Sequence, residues 1–156
     1  MAVRHASHHE HRPMRIAPNA LRRANLGVAV FAGLNAVGGG VGLIVNGLGI
    51  PASQLEGTPF DSLLIPGLLL ALVVGGSMLV AAAAVWRNDP RAARATMLAG
   101  AIMLGWIAVE SLMIGDGRGL QATVALMALL TIALGLLQTR ADRPDARRGA
   151  PSPESV

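Results

Sequence analysis

Four continuous apolar runs dominate the chain, at residues 26–48, 63–86, 95–114 and 120–137. Each reaches or nearly reaches the roughly 20 apolar residues that one helix needs to cross a bilayer. The runs are unbroken rather than alternating, so they predict helices and not barrel strands. Lipid offers backbone groups no partners, and a helix satisfies them within its own segment. Buried helices of a soluble bundle would need polar outer faces, and these runs have almost none. The pattern therefore predicts an all-α, four-helix transmembrane bundle over residues 21–140, with tails at 1–20 and 141–156 expected to be disordered.

Charge orients this bundle. Of the 13 basic residues, five precede the first run, three lie between the second and third, and four follow the last. Only Arg118 falls elsewhere. Basic residues collect on the cytoplasmic side, so both termini and the turn at 88–91 are expected there. The first run exceeds the roughly 7–15 residues of a signal-peptide core, and no small-x-small site follows it, so cleavage is not expected.

Composition narrows the chemistry. The chain has no cysteine, which excludes thiol nucleophiles, thiolate metal sites and cysteine-held iron–sulfur clusters. Every basic residue is arginine, and alanine and glycine abound. That usage suggests a GC-rich bacterial genome and the bacterial cytoplasmic membrane. The net charge of +4 reads as a topology signal and as attraction to anionic headgroups, so membrane lipids and not nucleic acid are the expected contacts. His5, His8, His9 and His11 all lie in the N-terminal tail, with no carboxylate or cysteine cluster to complete a metal site. No cofactor is expected.

The spacing of small and polar residues predicts local features. In the first run, Phe31, Asn35, Gly38, Gly39, Gly42, Asn46 and Gly49 share a face at 100° per residue. Asn35, Gly38 and Gly42 are thus expected to form a close helix–helix seam. Thr58-Pro59-Phe60-Asp61 has the pattern of a capping box, with Thr58 as N-cap and Asp61 in the place usual for Glu or Gln. Pro66 cannot donate to the carbonyl of Ser62, so a kink or wide turn is expected in the second helix. Asp89 and Pro90 mark the start of the third helix, which carries Ala99, Met103, Trp106, Glu110 and Met113 on one face. The fourth places Ala128, Thr131, Gly135 and Gln138 on one face.

Ionisable residues inside a membrane are costly, which makes each a candidate for function. Glu110 is the clear case, four residues before the end of the third run and so about 6 Å from its end at 1.5 Å per residue. Trp106 lies one turn away on the same face. Asn46, Asp61, Ser62 and Gln121 fall at the same end of the bundle. Together these residues are candidates for a ligand site, with Glu110 alternatively held by Asn46 or Gln121, or paired with Arg118. Catalysis needs a second positioned group, and Asp61 is the only carboxylate expected nearby.

The segments Asn35-Ala36-Val37-Gly38-Gly39-Gly40, Gly57-Thr58-Pro59-Phe60 with Leu64-Ile65-Pro66-Gly67-Leu68, and Gly105-Trp106-Ile107-Ala108-Val109 form a recurring pattern. It resembles that of small bacterial four-helix integral membrane proteins over roughly residues 24–137. In those proteins Gln often follows the last of these segments, and Pro often follows the Leu-Gln that opens the fourth helix. Here Glu110 and Ala122 stand at those places. The resemblance implies the four-span fold and no assigned activity. The expected function is a non-enzymatic accessory or scaffold subunit with a protein partner or a second copy. The alternatives are a binder or carrier of a small or lipid-like ligand near Glu110 and, behind it, a membrane enzyme using Glu110 as acid or base.

Overall fold

A computed structural model describes residues 18–51, 55–114 and 118–148, with backbone alone at 18, 113–114, 118, 120 and 142–148. The described residues are mostly helical and contain no strand. Four helices result: α1 (Pro18–Asn46), α2 (Leu64–Trp86), α3 (Ala92–Ile114) and α4 (Arg118–Arg148). All four are long and apolar enough to cross a membrane. Their outward side chains are large and apolar, such as Val45, Leu72, Val80, Leu112 and Leu126. That is the surface a bilayer solvates and water does not.

Helix limits differ from the apolar runs at both ends of the chain. The first helix begins at Pro18, so residues 18–20 of the expected tail are helical, as are Arg22, Arg23 and Asn25 ahead of the first apolar run. Likewise α4 continues to Arg148, beyond residue 141 where an unstructured tail is expected. The four histidines lie outside the described residues.

The bundle is built from two hairpins. One pairs α1 with α2, the other pairs α3 with α4, and each is the closest pairing its helices make. Across the hairpins, α1 meets α4, and α2 meets α3 mainly along Gly76–Trp86. The core between them holds Ala32, Ala36, Val74, Met78, Met103 and Ala128. Small residues let the backbones approach, since lipid supplies no hydrophobic drive between helices. The α1–α2 seam runs through Gly33 and Gly40 on one side and Gly67 and Gly75 on the other. A methyl group at Gly40 would strike the carbonyl oxygen of Gly67 and the Ala71 side chain. In the second hairpin, Gly100 packs against Ile132, and Gly135 against Met97.

This corrects the expected seam. Gly38 is exposed, with nothing within 4 Å of the place a Cβ would take. Gly42 faces only the Leu48 side chain, 2.6 Å from that place, in the turn after its own helix. Asn35 is exposed and donates to the Phe31 carbonyl of its own helix at 2.8 Å. The faces expected for α3 and α4 do point inward: Ala99, Met103, Ala128 and Thr131 are buried.

The turns are set by local chemistry. After α1, Gly47, Leu48 and Gly49 all take positive φ, at 67°, 50° and 75°. The Asn46 side chain steadies that turn by accepting from the Leu48 N–H at 3.0 Å. Thr58 does not cap α2, which starts at Leu64 without a side-chain cap. Its hydroxyl donates instead to the Leu55 carbonyl at 2.8 Å, so the expected box is a loop turn, and Asp61 lies exposed outside the helix. Pro66 is followed by a π-helical stretch, Leu69–Gly75, so the widening comes one turn later than its ring alone dictates. At the far end of α2, Asn88 takes φ 55° while Asp89 N–H reaches the Ala84 carbonyl and Asn88 N–H the Val85 carbonyl. Those two bonds are the Schellman pattern that ends a helix. Asp89 then accepts from the Arg91 N–H at 2.7 Å and opens α3, as its sequence position leads one to expect.

Candidate functional site

The two hairpins are clasped at one end and separate at the other. The clasped end carries the start of α1, the α2–α3 turn and the distal part of α4. There Asn25, fully buried on α1, donates to Thr96 Oγ1 of α3 at 3.2 Å and to Gln138 Oε1 of α4 at 2.7 Å. Beside it, Arg22 donates from Nε to the Val85 carbonyl at 3.1 Å and from Nη2 to the Trp86 carbonyl at 3.0 Å. A cation on the last carbonyls of α2 satisfies orphan acceptors and complements the helix dipole. Asn25 Oδ1 is buried without a hydrogen-bond partner among the described residues. Asn25 lies one residue before the first apolar run, which hid this cluster from a reading by hydropathy. The signal available was three polar residues at matched depth: Asn25, Thr96 and Gln138.

At the opposite end, between the separated hairpins, lies a cavity of about 610 Å³. Phe31, Asn35, Gly39 and Leu43 of α1 form one wall. Pro66, Leu69, Leu70 and Val74 form the next, so the π-helical stretch of α2 lies on the cavity wall. Met103, Trp106, Ile107 and Glu110 come from α3, and Thr123, Val124 and Met127 from α4. The segment between α1 and α2 roofs it with Leu48, Ile50, Leu55 and Phe60.

Trp106 and Glu110 are brought together here, one turn apart on the inner face of α3 and both half-buried. The Glu110 carboxyl lies close to the indole N–H of Trp106 without meeting hydrogen-bond geometry. That N–H is buried and has no partner among the described residues. Asn46, Asp61, Ser62 and Gln121 do not line the cavity among the residues described. Asn46 is committed to its turn, Asp61 and Ser62 are exposed on the loop, and Gln121 is half-buried at the start of α4. Asn35, expected in a seam, lines the cavity instead. Among the described lining residues Glu110 is the one ionisable group. No cluster of three or more His, Asp or Glu side chains able to hold a metal ion occurs among the described residues.

The architecture defines a class: a small helical bundle of four segments, each long and apolar enough to span a membrane. No protein-family model matches the chain, and no curated protein or solved structure matches it.

Proposed function

We propose that this chain is a multi-pass protein of a bacterial cytoplasmic membrane that binds a small hydrophobic or lipid-like molecule in the cavity between its hairpins. The observation that carries this reading is the placement of Trp106 and Glu110 in a cavity of about 610 Å³ with otherwise largely apolar walls. Small-molecule sites typically have volumes of about 300–1,000 Å³ and few polar groups. A carboxyl residue in an apolar span is costly, and a ligand gives it a use. The arginine distribution supports a cytoplasmic location for both termini, which puts the cavity in the outer half of the bilayer. Catalysis is not proposed, because Asp61 lies exposed on the loop and leaves Glu110 without an ionisable partner among the described lining residues.

A role as an accessory subunit is the second reading. Exposed Gly38, with open space around it, leaves room for a partner helix against α1. Gentle extraction followed by native mass spectrometry separates the two. A small molecule retained at one per chain is the expected result. A stoichiometric protein partner on a chain that retains no small molecule would favour the accessory role.

A further inference from the structure

Resting on the cavity being a ligand site, we infer that its ligand is an amphipathic cation: an apolar body with a protonated amine or quaternary ammonium group seated between the Trp106 ring and the Glu110 carboxylate. Three features of the wall converge on this. Glu110 is the one ionisable group among the described lining residues, and it is an acid. The neutral polar groups commit donors to backbone carbonyls of their own segments. Asn35 gives an N–H to the Phe31 carbonyl, Thr58 its hydroxyl to the Leu55 carbonyl, and Thr123 its hydroxyl to the Gly119 carbonyl. Thr58 Oγ1 also takes the Phe60 N–H at 3.4 Å, and Asn35 keeps its second N–H, but the Asn35 and Thr123 oxygens remain as acceptors, so the wall offers a ligand more lone pairs than hydrogens. Trp106 adds an aromatic face one turn from the acid, and a cation is attracted to such a face within about 6 Å.

The same wall disfavours an anionic head. A fatty-acid carboxylate or a phosphate would meet one buried donor, the Trp106 N–H, beside a carboxylate. Glu110 has two oxygens, enough to take that N–H on one and face a cation with the other. Arg22, the described arginine bonded across helices, lies at the clasped end on the carbonyls of α2. The apolar body of the ligand would lie along Leu69, Leu70 and Met103.

The test uses full-length protein carrying Trp86→Phe in nanodiscs of zwitterionic lipid. Trp86 is exposed at the clasped end, and its removal leaves Trp106 as the only tryptophan. An alkyltrimethylammonium, its uncharged tert-butyl isostere and the alkyl sulfate of equal chain length are titrated against Trp106 fluorescence. The ammonium should bind about tenfold more tightly than the isostere, with the sulfate weakest. In Glu110→Gln, which keeps the side-chain shape, that preference should vanish while the isostere binds as before. Equal or tighter binding of the isostere or the sulfate overturns the cationic assignment and leaves the cavity a ligand site. No saturable response to any of the three overturns the ligand site itself. The comparison among probes on Glu110-containing protein decides even where Glu110→Gln fails to fold.

Discussion

At the scale of single residues, the close approaches of α1 and α2 are the sharpest constraint. In Gly40→Ala the new methyl would meet the Gly67 carbonyl, a backbone atom that cannot swing away. Overpacking of this kind costs about 1–3 kcal/mol, and thermal unfolding in detergent should show it. Gly38→Ala should be neutral or slightly stabilising, since the site is open and alanine is the better helix former. Equal melting temperatures for the two variants would refute the seam. Asn25→Ala should cost about 1–2 kcal/mol by removing the bonds to Thr96 and Gln138, and a double-mutant cycle with Gln138→Ala should give a coupling of about 0.6–1.7 kcal/mol. Which glycines pack was not legible in the sequence. Glycine occupies positions 27, 33, 38, 39, 40 and 42 of α1, on several faces, and lipid-facing and partner-facing sides are equally apolar. Hydrophobic contrast, which orients a helix in a soluble protein, has nothing to act on there. Glu110 and Trp106 were legible because a charge in an apolar run stands out against any background.

At the scale of elements, the four spans follow from apolar length alone, and their limits from caps that the sequence shows only in part. Asp89 was readable as the start of α3, whereas the loop turn at Thr58 competes with a capping pattern of the same residues. Pro66 announces a kink or wide turn in α2, but not the place of the π-helical stretch, because nothing in Leu69–Gly75 marks it locally. The role of that stretch emerges from phase. Eight α-helical residues carry Gly67 to Gly75 through about 800°, or 80° beyond two turns. An inserted residue withdraws about 100°, returning both glycines to within about 20° of one line. Both then meet α1, Gly67 at the Gly40 carbonyl and Gly75 at Val37. Deleting the exposed residue Leu72 should convert the stretch to regular helix and turn Pro66 and Leu69 away from the cavity. We expect a lower melting temperature and loss of ligand-dependent Trp106 fluorescence, whereas Leu72→Ala should change neither. A deletion variant as stable and as responsive as the parent would show that the widened turn does not set the register.

For the whole molecule, orientation is the first property to test, and the absence of cysteine makes the test clean. Glu56→Cys should react with an impermeant thiol reagent added to intact cells, and Asp89→Cys should react only after lysis. The opposite pattern would place the cavity in the cytoplasmic half of the bilayer. The clasp between the hairpins also has a consequence for how the chain is made. Asn25 is separated from Thr96 by 71 positions and from Gln138 by 113, and Arg22 from its carbonyl on Val85 by 63. Ribosomes add about 5–20 residues per second, so Asn25 is made roughly 6–23 seconds before the last of these partners. Throughout that interval a helix bearing an amide without its full set of partners waits in lipid, able to pair with the amide of another nascent chain. Translation speed across residues 26–138 therefore decides how long the newborn protein is exposed to the wrong partner.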